Sequence, residues 1–480
     1  MSPTSPSAGA RHRAVVLMVI LGCQLMMTLD ASIVTTALTH IKTELGFTDS
    51  SLSWIQNAYV LAFGGLLLLG ARAGDLLGRR RVFIAGTALF TAASLLAGLA
   101  PSAELLIAAR TLQGLAAAFA IPSTLALLIT SFPEPEERTR AIAIYSAVIG
   151  AGASVGIIVG GVFTEYLSWR WGLLINVPLG ILVLVLAPRF LPETERQSGR
   201  VDLLGALTVT LGMSALVYGL VEAAEVGWAS TRTLLPLTAA VVLLVGFVII
   251  ELRASQPIVP LRLFFSVQRS GAYVGRILIV GAMFSTFYFL SQYLQNVRGL
   301  SPLATGLAYI PMTGMFFAMV YVVRWAAPRV SKPVLLLTSL TTAAIGMAWL
   351  SRIDATTTVA SILPPLLVLG IGQGIAIILL TDFGMADVDQ GDAGAASGLV
   401  NTAHQIGGSI GLALLTVVYG SAVHHDPAPG TVTQAHGYAA VFDVATGFYV
   451  LAMIIAVVIL AAGRRQARRS ATVPVPVAAG

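Results

Sequence analysis

Long apolar runs separated by short polar loops make up most of the chain. A bilayer core of roughly 30 Å takes about 20 apolar residues in a helix. On that measure fourteen stretches qualify: 14–38, 54–71, 82–100, 105–130, 141–163, 171–190, 202–221, 234–251, 271–295, 303–323, 333–350, 358–380, 398–419 and 439–462. The pattern predicts an all-α integral membrane protein with fourteen transmembrane helices. Two pairs of motifs recur eight helices apart. Gln113-Gly114 in the fourth helix returns as Gln373-Gly374 in the twelfth, and Gly152 to Gly156 in the fifth returns as Gly407 to Gly411 in the thirteenth. Eight is six plus two, so the chain divides into a tail (1–13), a six-helix bundle (14–190), a linker with two inserted helices (191–270), a second six-helix bundle (271–462) and a basic tail (463–480). Parallel repeats of this kind indicate a transporter whose binding site lies between the halves.

Charge fixes an expected orientation. Basic residues cluster at Arg11/Arg13, Arg72/Arg79/Arg80/Arg81, Arg138/Arg140, Arg189/Arg196/Arg200, Arg253/Arg262/Arg269, Arg324/Arg329/Lys332 and Arg464 to Arg469, all on one side of a fourteen-span chain. The opposite loops hold few, so both termini are expected in the cytoplasm of a multi-pass plasma-membrane protein. One loop on the basic side is acidic, with Asp382, Asp387, Asp389 and Asp392; acids contribute little to topology. The composition agrees. The chain is 56% apolar and 10% charged, against about 25% charged in soluble domains, and its mean hydropathy is +0.86. A single cysteine, Cys23, excludes an intramolecular disulfide and a cysteine metal cluster. Six scattered histidines show no metal-ligand spacing, so no metal or cofactor is expected. The net charge of +6 resides in loops and tails, which gives no reason to invoke nucleic acid. The first apolar run is too long for a cleaved signal peptide. A monomer is the expected state.

Within the first run, Asp30 is the only charge. An ionisable group inside a membrane helix costs a few kcal/mol and reads as functional by default. It lies about eight residues, roughly 12 Å, from the far end of its helix. Arg110, in Arg110-Thr-Leu-Gln113-Gly114, lies about five residues, roughly 8 Å, from the same side. Similar depth predicts an ion pair, with snorkelling of Arg110 to headgroups as the alternative. The loop after the second helix carries Asp75, Gly78, Arg79, Arg80 and Arg81; Asp75 is expected to face the positive start of the thirteenth helix. Gly152, Gly156, Gly160 and Gly161 permit close helix contact in the fifth helix. Trp169 and Trp171 read as interfacial anchors, and Pro178 as a kink in the sixth helix. Gln113, Asn176, Phe284, Tyr288, Gln292, Tyr309, Phe316 and Gln373 are candidates for a substrate cavity, since adaptable aromatic surfaces suit varied apolar ligands, although packing explains any one of them. Arg276 is expected to snorkel, His404 to be neutral and hydrogen-bonded, and Glu222 and Glu225 to be solvated.

These segments resemble the major facilitator superfamily, specifically its fourteen-helix drug:proton antiporters of the EmrB/QacA type. Leu29-Asp30-Ala31-Ser32-Ile33-Val34 is similar to that subfamily's first-helix signature, the 70–81 loop to the superfamily loop motif, Arg110 to Gly114 to its fourth-helix motif, and Gly152 to Gly161 to the antiporter motif. Gly219 to Trp228, Gln295 to Pro311 and Ala396 to Gly411 also resemble subfamily segments. The chain departs from the pattern at Ile157, where a proline is usual, and at Ala71, where a glycine is usual. The resemblance implies that Asp30 carries a proton, that Arg110 is its charge partner and that Asp75, Gly78, Arg79 and Arg80 belong to a cytoplasmic gate. Desolvation penalises an ionised carboxylate and a nearby arginine favours it. A conformational change that alters either one therefore changes how tightly Asp30 holds a proton. The expected function is proton-coupled efflux of amphipathic drugs or antibiotics by alternating access, with a proton gradient as the driving force and no enzyme activity. The alternatives are a dedicated exporter of one native metabolite, such as an antibiotic pathway product or a siderophore, and, more remotely, an integral-membrane enzyme.

Overall fold

The computed structural model describes residues 8–193, 202–254, 261–386, 388, 393–426 and 430–471. In chain order the helices are α1 (Ala8–Leu45), α2 (Trp54–Leu77), α3 (Arg79–Gly98), α4 (Ala103–Ser131), α5 (Pro135–Tyr166), α6 (Trp169–Leu174), α7 (Asn176–Phe190), α8 (Leu203–Val226), α9 (Thr231–Arg253), α10 (Val267–Gln292), α11 (Pro302–Ala308), α12 (Ile310–Ala326), α13 (Lys332–Leu350), α14 (Val359–Gly384), α15 (Ala393–His425) and α16 (Thr431–Ala471). Twelve helical stretches among the described residues are long and apolar enough to cross a bilayer, or thirteen if the pair Ser51–Leu67 and Leu69–Leu77, bent by 51°, is one span. Fourteen were expected. The expected span 141–163 falls within α5, where only Val155–Tyr166 stands as a shorter apolar stretch. Arg196, Arg200, Asp387, Asp389 and Asp392 lie outside the described residues.

Two of the expected helices are broken, each for a local reason. Proline lacks an N–H and its ring crowds the carbonyl four residues earlier. Pro178 acts in this way on Leu174, where α6 ends, and Pro311 on Leu307, one residue before α11 ends. The kink expected at Pro178 is thus an interruption at Ile175.

The repeat reappears as packing. Glycines let two helix backbones approach. A Cβ at Gly114 of α4 would lie 2.2 Å from the Tyr59 carbonyl of α2, and one at Gly374 of α14 would lie 2.5 Å from the Phe316 carbonyl of α12. Likewise Gly156 and Gly160 of α5 meet Leu29, Ser32 and Ile33 of α1, while Gly407 and Gly411 of α15 meet Ile277 and Gly281 of α10. Fourth helix on second, and fifth on first, is the same arrangement in each half. At Ile157 the departure from the usual proline leaves α5 continuous, and the Ile157 carbonyl accepts from Thr36 Oγ1 at 3.5 Å.

Hydrogen bonds join the halves at the end of the bundle away from the termini. There Ser291 Oγ donates to the Thr35 carbonyl (2.9 Å), Gln295 Nε2 to the Thr36 carbonyl (3.0 Å), and the Leu303 N–H to Glu165 Oε2 (3.1 Å). Gly161 packs on Pro302 and Leu303 at the same place. On one flank the inserted helix α8 bridges the seam. Its Met213, Val217, Leu220 and Val221 pack with Leu61 of α2 and with Ala413 and Val417 of α15. Beyond it α9 leaves Leu235 69% and Val242 65% exposed, an apolar surface that suits contact with acyl chains.

Candidate functional site

Asp30 is fully buried, and three donors from two helices converge on it. Its Oδ2 accepts from Arg110 Nη1 of α4, forming an ion pair. Its Oδ1 accepts from Gln113 Nε2 at 2.8 Å and from Asn176 Nδ2 of α7 at 2.8 Å. Arg110 and Gln113 are three residues apart and share a helix face; Arg110 Nη1 also donates to Gln113 Oε1 at 2.9 Å. Arg110 Nε donates to the Ile55 carbonyl of α2 at 3.0 Å, and its guanidinium stacks 4.6 Å from the Tyr59 ring centre. Gln113 Nε2 reaches Ser94 Oγ of α3 at 2.8 Å. Five helices therefore hold one carboxylate. Arg110 is 1% exposed, so it does not snorkel. A pair this deep survives only with its remaining hydrogen-bond capacity satisfied, and the two amides meet that need.

Gln113 and Asn176, expected at a substrate cavity, are brought onto Asp30. The other cavity candidates lie in the C-terminal half, where Tyr288 and Tyr309 share one apolar core. Gln373 Nε2 donates to Tyr449 Oη at 2.7 Å while its Oε1 has no partner. Tyr309 Oη donates to the Phe287 carbonyl at 2.9 Å. Tyr288 and Gln292 are buried. Phe284 packs against the apolar core of the N-terminal half and sets its ring 5.8 Å from that of His404. Phe316 packs edge-on to Phe317, with ring centres 5.3 Å apart. An apolar cavity of about 170 Å³ does lie on the flank of the seam, between α2, α8, α9 and α15, and none of these eight residues lines it.

The loop between α2 and α3 is tied to itself and to the segment that follows α7. Asp75 pairs with Arg79 one turn later. The Arg80 N–H donates to Glu193 Oε1 (3.2 Å), Arg80 Nη1 donates to the Leu191 carbonyl (3.2 Å), and Arg81 also lies beside Glu193. Gly78 has φ +99°, and a Cβ there would approach Glu193 Oε1 to 2.6 Å, so the turn needs glycine on both counts. The contact expected between Asp75 and the start of the thirteenth helix adjoins residues 389–392, which are outside the description. Glu193 was missed by sequence reasoning, because its partners are more than a hundred residues away. At the opposite end, Trp169 differs from the expected interfacial anchor. It is buried and donates through Nε1 to Glu44 at 2.6 Å, while Trp171 stays exposed. Arg276 differs too: it is 7% exposed, turned in among α14 and α15.

Comparison with known proteins agrees with this architecture. A model of the Major Facilitator Superfamily matches residues 20–412. The chain is 38% identical over 461 residues to the puromycin resistance protein pur8 of Streptomyces alboniger, covering 92% of this chain and 90% of that one. It is 40% identical over 417 residues to the cephamycin export protein CmcT of Amycolatopsis lactamdurans, covering 85% and 86%. Among solved structures, a bacterial homologue of the lysosomal transporter Spinster superposes with TM-score 0.66 at 14% identity, over 93% of this chain and 97% of that one. The nucleoside transporter NupG gives 0.63 at 12%, over 93% and 99%; likeness at this identity speaks for the fold alone. A two-half helical bundle with a buried charge pair, matched by this model over most of its length, belongs to the Major Facilitator Superfamily.

Proposed function

We propose that the protein exports amphipathic drugs or antibiotics in exchange for protons, by alternating access between its two halves, from the plasma membrane and with both termini in the cytoplasm. The observation that carries this reading is the sealed Asp30, held by Arg110, Gln113 and Asn176. Protonation cancels its attraction to Arg110 and removes one acceptor site. The hold of α4 and α7 on α1 then weakens. Five to six residues further along α1, about 8–9 Å, Thr35 and Thr36 accept the hydrogen bonds that close the seam against α10 and the turn that follows it. A change in how α1 sits is thus felt where the halves meet. Each inward proton releases about 2.3 kcal/mol per 100 mV of membrane potential. Unpartnered buried polar atoms cost free energy; the one at Gln373 Oε1 suits a surface that meets a ligand in another conformation.

The relatives' names support export as the activity. Each of the two quoted names a single antibiotic, as do a tetracenomycin C resistance and export protein of Streptomyces glaucescens and a methylenomycin A resistance protein of Streptomyces coelicolor. This favours, as a second reading, a narrow exporter of one such compound. The test is expression in a host stripped of its own efflux pumps, challenged with a broad antibiotic panel, followed by uptake into inverted vesicles under an imposed pH gradient. Protection against many unrelated compounds supports broad efflux, and protection against one supports the narrow exporter. Transport indifferent to the gradient removes proton coupling.

A further inference from the structure

Arg276 is a second deeply buried charge, and the coupling scheme leaves it unused. It lies nine residues into α10, about 14 Å along the helix. Its Nη1 donates to Thr381 Oγ1 at 2.6 Å and to the Ile377 carbonyl at 3.4 Å, both on α14, and its Nη2 reaches His404 Nδ1 of α15 at 3.5 Å. Its Nε has no partner. Among the described residues no carboxylate lies within ion-pair distance of it. A guanidinium stays charged in a protein, and an uncompensated buried charge is costly, so the arrangement is hard to account for as packing alone.

The N-terminal half has a polar, neutral cluster on its own first, fourth and fifth helices. They contribute Gln24, Thr124 and Tyr145, with Tyr145 Oη donating to Gln24 Oε1 at 2.7 Å and lying 3.0 Å from Thr124 Oγ1. In the C-terminal half the corresponding helices contribute Arg276, Thr381 and His404. The cationic cluster also adjoins the seam. The ring of Phe284, which packs on the core of the opposite half, stands edge-on to His404, and the neighbouring Gln405 packs against Gly64 of α2.

We propose that Arg276, framed by Thr381 and His404, is an anion-recognition site that binds the carboxylate of an amphipathic organic acid carried by the protein. The free Nε, with no carboxylate partner among the described residues, leaves hydrogen-bonding and charge capacity for such an anion, which supplies the missing countercharge. The neighbouring Phe284 offers apolar contact for the rest of the molecule. The proposal rests on the export reading above and names one class of substrate for it.

Dansyl-phenylalanine and its methyl ester test it, as a matched acid and neutral molecule, by fluorescence titration of the full chain in nanodiscs and by uptake into inverted vesicles. The wild type is expected to favour the acid by about tenfold or more, the scale of one charge-assisted contact. Arg276→Gln brings the ratio of acid to ester affinity to near one, and Arg276→Lys restores most of it. A wild type without preference for the acid overturns the proposal with no variant needed. So does an Arg276→Gln protein that keeps the preference, or that loses affinity for acid and ester by the same factor, which is the mark of a structural role. If the vesicles move neither probe nor any compound of the antibiotic panel, the export reading itself fails; if they move the ester without preferring the acid, export stands and the anion site falls.

Discussion

At matching positions the two halves carry Gln113 and Gln373, each followed by a glycine packed on the backbone of a neighbouring helix. Three residues before the first glutamine stands Arg110; three before the second stands Gly370, pressed against the Met312 carbonyl. Gln113 accordingly sits in a charged network with Asp30, Arg110 and Ser94, whereas Gln373 reaches only the Tyr449 hydroxyl among the described residues. The duplicated framework is a matter of glycine spacing. The chemistry is a matter of which few positions received charge. The N-terminal half pairs its buried charge internally, which suits a group that must gain and lose a proton in a sealed place. The C-terminal half holds Arg276 beside the seam, with no counterion among the described residues.

The sharpest way to break this comparison is Asp30→Asn. Removing one partner of a buried ion pair costs about 3–5 kcal/mol, and gradient-driven uptake should fall to the vesicle background while the protein remains inserted; Arg110→Ala should be as damaging. Retained uptake in either variant would strip the N-terminal half of its special role. Next, Gln113→Ala removes hydrogen bonds to a charged partner, at about 1.5–3 kcal/mol, while Gln373→Ala removes one neutral bond, at about 1 kcal/mol. Thermal denaturation of the purified variants should separate them in that order, and equal losses would contradict it. The shared framework is probed by Gly160→Ala and Gly411→Ala, where an added Cβ would lie 2.5 Å from the Ile33 carbonyl and 2.2 Å from Gly281 Cα. Overpacking of this kind costs about 1–3 kcal/mol, and the two melting temperatures should drop alike; a drop in only one half would deny their equivalence. The smallest effect belongs to Gln295→Ala, which removes about 1 kcal/mol from the seam. It should raise the thiol-labelling rate of a cysteine placed at Thr39 in a Cys23→Ser background, and an unchanged rate would mean that this bond does not hold the seam shut.

Asp30 and Arg110 were legible because a lone charge in an apolar run is conspicuous and because helix rise converts position into depth. The glycine repeat was legible for a similar reason: spacing along one helix predicts a face. That Gln113 and Asn176 meet Asp30 was not legible, because a neutral amide carries no sign of its partner; only the fold brings α7 and α4 to the same carboxylate. Glu193 and the inward turn of Arg276 were hidden for the same reason, since their partners come from distant stretches of chain. The break at Pro178 was expected as a kink; the one near Pro311 has the same local cause and was overlooked, whereas the bend in α2 falls in a helix without proline and leaves no mark in hydropathy.

The most direct test of the account is proton release. A purified wild-type protein in weakly buffered solution, mixed with a compound it is found to export, should release protons as substrate binds and Asp30 returns to its pairing with Arg110. The Asp30→Asn variant should bind the same compound and release none. Equal release from both would show that the exchanged proton resides elsewhere and would contradict the central role given to Asp30.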